Sequence, residues 1–289
     1  MKIEEYLNVV YKYFREYVIN SSSICEMDSL RYDHNNLPNY ANKHIQEYYI
    51  LRYTYSYAFN YKYLYQSVLK DMTGKKLSVL SLGCGNLVDY WGLRQGISRK
   101  AQINYTGIDA IDWNYKFCAE NDDRVIFKNE DIVKFILSED KLPYDVFLFP
   151  MSISELDMNQ IYSIGNKLGE SIVTGKMVKI LISLRDNKYN LRKDLEKVEA
   201  LKKSICNNKV RCLKDKKYSL QKNIEEEHIE KLDQAFHYPE NIKAFLGNLT
   251  HCNNSKLNEK CRECELKNNR YPKLKCQGFI AKILVVEKE

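Results

Sequence analysis

Two glycines and an aspartate stand where predicted strands end, and these residue types suit the binding of a nucleotide-like ligand. The stretch VLSLGCGN places Gly83 and Gly85 directly after an apolar run, in a chain that has only 11 glycines. Glycine adopts a positive φ and lets a ligand approach the backbone where a Cβ would otherwise stand. Asp109 ends the next apolar run, YTGID, and its carboxylate could accept both hydroxyls of a ribose. Taken singly, the glycines would also fit an ordinary turn from strand to helix, and Asp109 a helix cap.

A second group of reactive side chains lies near the end of the sequence. Cys252, Cys261, Cys264 and Cys276 have the spacing C-x8-C-x2-C-x11-C, and the central pair could place two thiolates on one tetrahedral ion. We expect a structural zinc ion here, with an iron–sulfur cluster, unligated thiols or His251 in place of Cys252 as alternatives. The chain has nine cysteines, an odd number, and its N-terminus lacks the pattern of a secretion signal. A disulfide framework is therefore not expected.

Short apolar segments predict the strands that must position these residues. They are KLSVLSLG, INYTGIDA, RVIFKNEDI, YDVFLFPMS and MVKILISLR, with GFIAKILVVEK as a last strand. Helical patterns at 87–97, 132–137 and 160–171 fall between them, and this alternation is typical of a parallel sheet. Ligands of such sheets bind beyond the carboxyl ends of the strands, where the two glycines and Asp109 would meet.

The order of these motifs excludes one nucleotide class and resembles a known family. A dinucleotide site needs G-x-G-x-x-G, but Val88 occupies the last position. VLSLGCGN, the acid after the second strand, FKNEDI and YDVFLFPMS resemble the successive motifs of the class I S-adenosylmethionine (SAM)-dependent methyltransferases. The resemblance covers roughly residues 75–185 and 277–288. It implies an α/β, Rossmann-like sheet of seven mostly parallel strands, with helices on both faces and an antiparallel last strand.

The resemblance also implies which residues bind SAM. The glycine turn would lie along the methionine part, Asp109 would hold the ribose, Asp131 and Ile132 the adenine, and the end of the fourth strand would lie near the methyl group. The implied cofactor-binding residues are Gly83, Cys84, Gly85, Asn86, Asp109, Asp131, Ile132, Phe149, Pro150 and Met151. The sequence departs from the family pattern at Ser81, where an acid is usual, and at Leu87, where a third glycine is usual.

The stretch after the fourth strand, FPMSISEL, narrows the chemistry. It lacks the Asn/Asp-Pro-Pro-aromatic motif of enzymes that methylate amino groups of adenine or cytosine, and it has no Pro-Cys pair for C5-cytosine chemistry. Glu155 is the nearest candidate base, although a solvated residue on the next helix would look the same. In-line positioning of an already activated methyl group supplies much of the rate without a strong catalyst.

Helical patterns flank the motifs and suggest a domain organisation. Residues 1–20 and 41–70 carry apolar side chains at helical spacing, and we expect 1–70 to form a cap over the pocket. The tyrosines of the second segment are typical of a core stripe, or of a surface that stacks on bases, and Arg52 and Tyr53 are predicted to face the substrate. The methyltransferase domain would follow at 71–289, with the cysteine segment 250–277 as an insertion. Further helices are predicted at 187–204 and 225–247.

The charge distribution favours an anionic partner for the last third of the chain. The formal net charge is +7, and residues 187–277 alone carry +8. We therefore expect the methyl acceptor to be RNA or a ribosomal component. A small aromatic acceptor, or a non-catalytic module that binds RNA or protein, are the alternatives. No apolar run is long enough for a membrane span, so a cytoplasmic protein without a membrane partner is expected.

Overall fold

Strands and helices alternate along most of the chain. The computed structural model describes residues 1–21, 24–25, 27, 38–69, 76–98, 100–116, 123–185, 190–219, 237–249, 271–274 and 279–289. The helices it describes are α1 (Ile3–Asn20), α2 (Lys43–Leu69), α3 (Val88–Gly96), α4 (Ile132–Ser138), α5 (Met158–Ser171), α6 (Leu191–Cys206) and α7 (Glu240–Gly247). The strands it describes are β1 (Lys76–Leu82), β2 (Gln102–Asp109), β3 (Arg124–Asn129), β4 (Val146–Pro150), β5 (Met177–Arg185), β6 (Val210–Ser219) and β7 (Phe279–Lys288).

The described strands form one sheet in the order β3–β2–β1–β4–β5–β7–β6. Neighbours from β3 to β5 pair in parallel, whereas β7 runs antiparallel to both β5 and β6. The predicted α/β class, the seven strands and the antiparallel last strand are confirmed. The order reverses between β1 and β4, and such a reversal opens a crevice beyond the carboxyl ends of the two strands.

Helices cover both faces of the sheet, which is why its central strands are almost continuously apolar. Successive side chains of β1 point to opposite faces. Leu77 and Val79 pack in the core that contains α1, α2 and α3, and Leu80 and Leu82 pack in the core that contains α4, α5 and α6.

The two N-terminal helices predicted at 1–20 and 41–70 are confirmed as α1 and α2. Both contribute to the same core as α3, β1 and β2. A Cβ at Gly92 of α3 would overlap the Cβ of Tyr61 on α2, so the two helices touch at backbone distance. Residues 70–75, which contain the predicted domain boundary, lie outside the described residues.

One strand, β6, was not predicted. Half of the residues in its sequence VRCLKDKKYS are charged, because β6 is an edge strand, where lysines face solvent and discourage pairing with other chains. The helix predicted at 225–247 is found as α7, which begins at Glu240; residues 237–239 are not helical, and residues 225–236 lie outside the described residues. Among the described ranges, no helix combines the length and the apolar character that crossing a bilayer requires.

Candidate functional site

A cleft with a cavity volume of about 150 Å³, partly open to solvent, lies at the carboxyl ends of β1, β2, β4 and β5. One wall comes from these strand ends and the other from α2 and the segment before it. It brings together, of the residues predicted to bind the cofactor, Gly83, Cys84, Gly85, Asn86, Asp109, Pro150 and Met151. It is further lined by Pro38, Tyr40, Tyr49, Tyr57, Tyr61, Val88, Ile111, Trp113, Ser152, Glu155 and Arg185.

The glycine turn is held by its backbone. The N–H groups of Gly83 and Cys84 donate to the carbonyl of Ile108 at 2.8 and 3.1 Å, which fixes the exit from β1 against β2. Gly83 and Gly85 have φ values of +79° and +54°, a region that favours glycine. Leu87 shares this conformation at φ +68°, at the position where the family has its third glycine.

The two glycines serve different purposes. A Cβ at Gly83 would overlap the side chain of Ser152, so this glycine is required by packing within the protein. A Cβ at Gly85 would meet nothing closer than the indole of Trp113, at 3.8 Å. Gly85 is therefore the position at which the missing side chain leaves room for a ligand.

Asp109 faces the glycine turn. Its Oδ2 accepts from the N–H of Gly85 at 2.8 Å, and its Oδ1 accepts from the N–H of Ile111 at 2.8 Å. Burial raises the pKa of the carboxyl above its usual value, and the two backbone N–H groups oppose that shift. Each oxygen keeps a further lone pair, because a carboxylate oxygen accepts more than one hydrogen bond.

The indole of Trp113 packs over Gly85 at the glycine turn, and no motif in the sequence predicted this contact. Its side chain is 4% exposed, and its indole N–H lies near the carboxylate of Asp109 and opposes the upward shift of that pKa. The only signal in the sequence is that Trp113 follows four residues after Asp109.

Asn86 and Cys84 fill the turn in different ways. The side-chain amide of Asn86 donates to the hydroxyl of Tyr6 at 3.0 Å, and that hydroxyl donates to the carbonyl of Tyr115 at 2.9 Å. The turn is thereby tied to α1. Burial raises the pKa of the Cys84 thiol well above its usual value, so this side chain stays neutral and acts as packing.

The residues predicted around the adenine and the methyl group divide into two groups. Pro150 and Met151 line the pocket, and Met151 adopts φ +65° with its N–H donated to Ser183 Oγ at 2.9 Å. Phe149 is fully buried in the core on the opposite face, because successive strand residues alternate. Asp131 is exposed and caps α4 by accepting from the N–H of Lys134 at 2.9 Å.

Ile132 approaches the turn without lining the pocket. Its Cδ1 lies 3.6 Å from the position that a Cβ of Gly83 would take. Asp131 and Ile132 thus lie beside the cleft rather than in it, and their contact with an adenine stays a prediction.

Residues of α2 line the pocket, but they are not the predicted ones. Tyr49, Tyr57 and Tyr61 face it, whereas Arg52 and Tyr53 do not. Arg52 is 5% exposed, and its guanidinium lies 5.0 Å from the ring centre of Tyr53. The tyrosines recur every four residues, and this spacing alone did not reveal which part of the stripe meets the cleft.

A buried acid, Asp89, contacts Ser81 behind the glycine turn. Ser81 Oγ donates to Asp89 Oδ2 at 2.6 Å, and the hydroxyl of Tyr105 donates to the same carboxylate at 2.9 Å. Burial raises the pKa of Asp89 to about 6, while the two hydroxyl donors oppose the shift. A carboxylate therefore lies behind the glycine turn, supplied by α3 instead of β1.

Two charged residues complete the cleft. Glu155 is solvent-accessible at its edge, and desolvation by nearby protein atoms raises the pKa of its carboxyl. The charge of Asp109 acts in the same direction and that of Arg185 opposes it. Arg185, the last residue of β5, donates Nη2 to the hydroxyl of Tyr57 at 3.4 Å. Arg185 ends a predicted strand, so its position at the same sheet edge as Asp109 could have been inferred from the sequence, but it was not predicted.

The predicted zinc ligands Cys252, Cys261, Cys264 and Cys276 lie outside the described residues, as does His251. Within the described ranges, no group of three or more His, Cys, Asp or Glu side chains is arranged to hold a metal ion.

No protein-family model matches the sequence, and no curated protein sequence matches it. Solved structures with a similar arrangement include 1,6-didemethyltoxoflavin-N1-methyltransferase from Burkholderia thailandensis, at 8% identity over 79% of both chains and a TM-score of 0.38. The cyclopropane synthase MmaA2 from Mycobacterium tuberculosis is 7% identical over 74% of this chain and 79% of its own, with a TM-score of 0.40. Geranyl diphosphate C-methyltransferase from Streptomyces coelicolor is 10% identical over 78% and 79%, with a TM-score of 0.39.

These identities and scores are low, so the fold is assigned from the sheet itself. In the described residues the strand order is β3–β2–β1–β4–β5–β7–β6, and β7 runs against the other strands. A glycine turn follows β1 and an acid ends β2. By this strand order and these two landmarks, the chain has the Rossmann-like fold of the class I SAM-dependent methyltransferases.

Proposed function

We propose that the protein transfers a methyl group from SAM to a small-molecule acceptor. The observation that carries the proposal is the position of Asp109 opposite the opening at Gly85, inside the pocket. Backbone N–H groups hold both carboxylate oxygens in place, and the remaining lone pairs point to a ligand with two neighbouring hydroxyls, as a ribose has.

The pocket supports a small acceptor better than the RNA acceptor that the charge favours. Aromatic side chains of α2 form the wall opposite the strand ends, so an acceptor must fit between Tyr49, Tyr57 and the end of β4. Pockets for small molecules are typically lined in this way, by aromatic groups with a few polar ones.

Residues of this chain would position the acceptor and remove its proton. Bound SAM would supply a methyl group on a sulfonium, whose carbon–sulfur bond breaks, leaving the electron pair on sulfur, as the acceptor atom bonds to the methyl carbon. Pro150 and Met151 shape the end of β4 beside this point. Glu155 is the carboxylate at the pocket edge, and we assign it the proton that the acceptor loses.

The proposal is tested by measuring S-adenosylhomocysteine (SAH) binding to Asp109→Asn and to a matched control, Asp112→Asn. Asp112 lies three residues away, and its side chain is 71% exposed in an ion pair with Lys116. We expect Asp109→Asn to weaken SAH binding about 10- to 100-fold, since hydrogen bonds to a charged group are lost. The control should stay within about twofold. Equal affinity of the two folded variants would contradict the proposal.

A second candidate acceptor, RNA, is favoured by the surface of β6. Arg211, Lys214, Lys216 and Lys217 are exposed along this edge strand. Binding to RNA through these side chains would weaken steeply as salt concentration rises, because counterions are released. A titration of structured RNA at two salt concentrations distinguishes the two candidates. An RNA acceptor predicts saturable binding, whereas a small-molecule acceptor predicts none.

For the cysteine segment we retain zinc as a proposal. It rests on the spacing of Cys252, Cys261, Cys264 and Cys276 alone. Elemental analysis of protein purified without added metal should give about one zinc per chain. Less than about a third of an equivalent of any metal would reject it.

A further inference from the structure

One wall of the pocket is a row of tyrosines, in which the rings of Tyr49 and Tyr57, and those of Tyr57 and Tyr61, lie 6.3 Å apart. Tyr40 and Tyr49 lie near the glycine turn, with their rings 5.4 and 5.5 Å from that of Trp113. Tyr57 lies nearer the end of β5, where it is hydrogen-bonded to Arg185. Such a wall offers apolar faces to the body of a ligand and hydroxyl groups to its polar end.

The Tyr57 end of this wall carries a positive charge. Arg185 is the only lysine or arginine among the described residues that line the pocket. It donates to the hydroxyl of Tyr57, and its charge opposes the upward pKa shifts of the Glu155 and Asp194 carboxyls. Burial raises the pKa of Tyr40, Tyr49 and Tyr61 well above the usual value, so their hydroxyls remain protonated and can donate.

Arg185 and Asp109 are too far apart to contact the same group of one ligand. β2 and β5 are separated by β1 and β4 in the sheet. Three strand spacings correspond to about 14 Å between the ends of these strands. A ribose at Asp109 therefore leaves Arg185 and Tyr57 to another group.

We propose that the methyl acceptor is a small molecule with an anionic group, a carboxylate or a phosphate, which Arg185 and the neighbouring tyrosine hydroxyls bind at the end of β5. The inference rests on the proposed function, since a molecule bound at Arg185 is an acceptor only if SAM lies at Asp109. Guanidinium groups bind both anions through paired N–H donors, so the two share one recognition chemistry. The body of the acceptor packs against the tyrosine row.

The test is direct binding of small probes to protein saturated with SAH. The probes are benzoate, phenyl phosphate and the neutral benzamide, measured by calorimetry with wild-type protein, Arg185→Gln and the control Arg192→Gln. Arg192 lies on α6 with a side chain that is 91% exposed. We expect benzoate or phenyl phosphate to bind at least about tenfold more tightly than benzamide, and Arg185→Gln to remove that preference. Arg192→Gln should keep it, and the better of the two anions identifies the group.

Three results would overturn the inference. They are equal binding of benzamide and both anions, no saturable binding of either anion up to about 10 mM, and loss of SAH affinity in Arg185→Gln with anion binding intact. Each leaves the proposed function standing, since SAH still binds the wild-type protein. A folded wild-type protein that does not bind SAH would instead remove the proposed function, and with it this inference.

Discussion

At the scale of single residues, Gly85 can be compared with Gly175. Both adopt a positive φ, +54° and +74°, and neither has protein atoms within 3.4 Å of an added Cβ. Only Gly85 lies in the pocket. Replacing either by alanine should cost about 1 kcal/mol of stability, because alanine resists this conformation. Gly85→Ala should also weaken SAH binding by at least about tenfold, whereas Gly175→Ala should not.

The two variants are measured by thermal unfolding and by calorimetric titration with SAH. Matched losses of stability with unchanged affinity in both would mean that the opening at Gly85 receives no ligand. That result would leave Gly85 with a role in the backbone conformation of the turn alone.

Asp89 makes stability depend on pH in a specific direction. Its pKa is about 6 in the folded protein, against about 3.9 in an unfolded chain. The folded state therefore holds the proton more tightly, so this group contributes stability that is complete below pH about 4 and is lost as the pH rises through about 6. The contribution is on the order of 3 kcal/mol.

Asp89→Asn isolates that contribution, because asparagine stays neutral. Relative to the wild type, the variant should gain free energy of unfolding as the pH rises from about 4 to about 7. Urea unfolding at several pH values measures the difference. A difference between the two proteins that does not change with pH would show that Asp89 is not a desolvated acid.

What the sequence predicted at this scale depended on strand ends. Gly85 and Asp109 follow apolar runs, so their place at one sheet edge could be inferred. Trp113 lies in a loop whose sequence has no recognisable pattern. Asp89 lies on α3 and contacts Ser81 on β1, and this contact between two elements has no signal in the sequence. Neither residue could therefore be predicted as part of the site. Phe149 was misplaced because the motif gave its position along the strand but not the face to which its ring points.

At the scale of elements, α2 is fastened to the loop after β2 by Gln46. Its Nε2 donates to the carbonyls of Tyr40 and Asp112 at 2.7 and 3.1 Å, and its Oε1 accepts from the N–H of Asn114 at 2.8 Å. Gln46 is fully buried. This loop also carries Trp113, so the same side chain sets the position of the α2 wall relative to the glycine turn.

Gln46→Ala should lower the free energy of unfolding by about 1–3 kcal/mol, since buried backbone groups lose their partners. It should also weaken SAH binding, because Trp113 is no longer held. Gln66→Ala, an exposed position on the same helix, is the control and should change neither quantity. If Gln46→Ala lowered stability and left SAH affinity at the wild-type value, the loop would not take part in binding.

Buried and exposed elements differed in how well the sequence predicted them. β1, β4 and β5 lie inside the sheet and read as apolar runs. β6 lies at the edge and carries Lys214, Lys216 and Lys217, so its composition resembles that of a loop. The spacing of the tyrosines predicted that α2 is a helix. It did not distinguish the tyrosines that pack in the core from those that line the cleft, because both recur at the same interval.

At the scale of the whole molecule, α1 and α2 are part of the structure that supports the sheet. Large side chains such as Phe14, Tyr48 and Leu51 are fully buried against the core shared with β1 and α3. Each contributes roughly 1.5–3 kcal/mol by burial, and whole domains are stable by only about 5–15 kcal/mol. A chain that begins at residue 70 should therefore fail to fold cooperatively.

Circular dichroism during heating tests this expectation for a chain of residues 70–289. We expect no cooperative transition, together with aggregation in size-exclusion chromatography. A cooperative transition like that of the full chain would mean that the N-terminal helices form a separable cap.

The central claim is that the crevice between β1 and β4 receives an adenosyl ligand. Titration of the full-length wild-type protein with SAH, with NAD as the comparison ligand, tests it most directly. We predict saturable binding of one SAH per chain with a Kd of about 1–100 μM and no saturable binding of NAD. No heat from SAH up to about 1 mM with folded protein, or tighter binding of NAD than of SAH, would contradict the account.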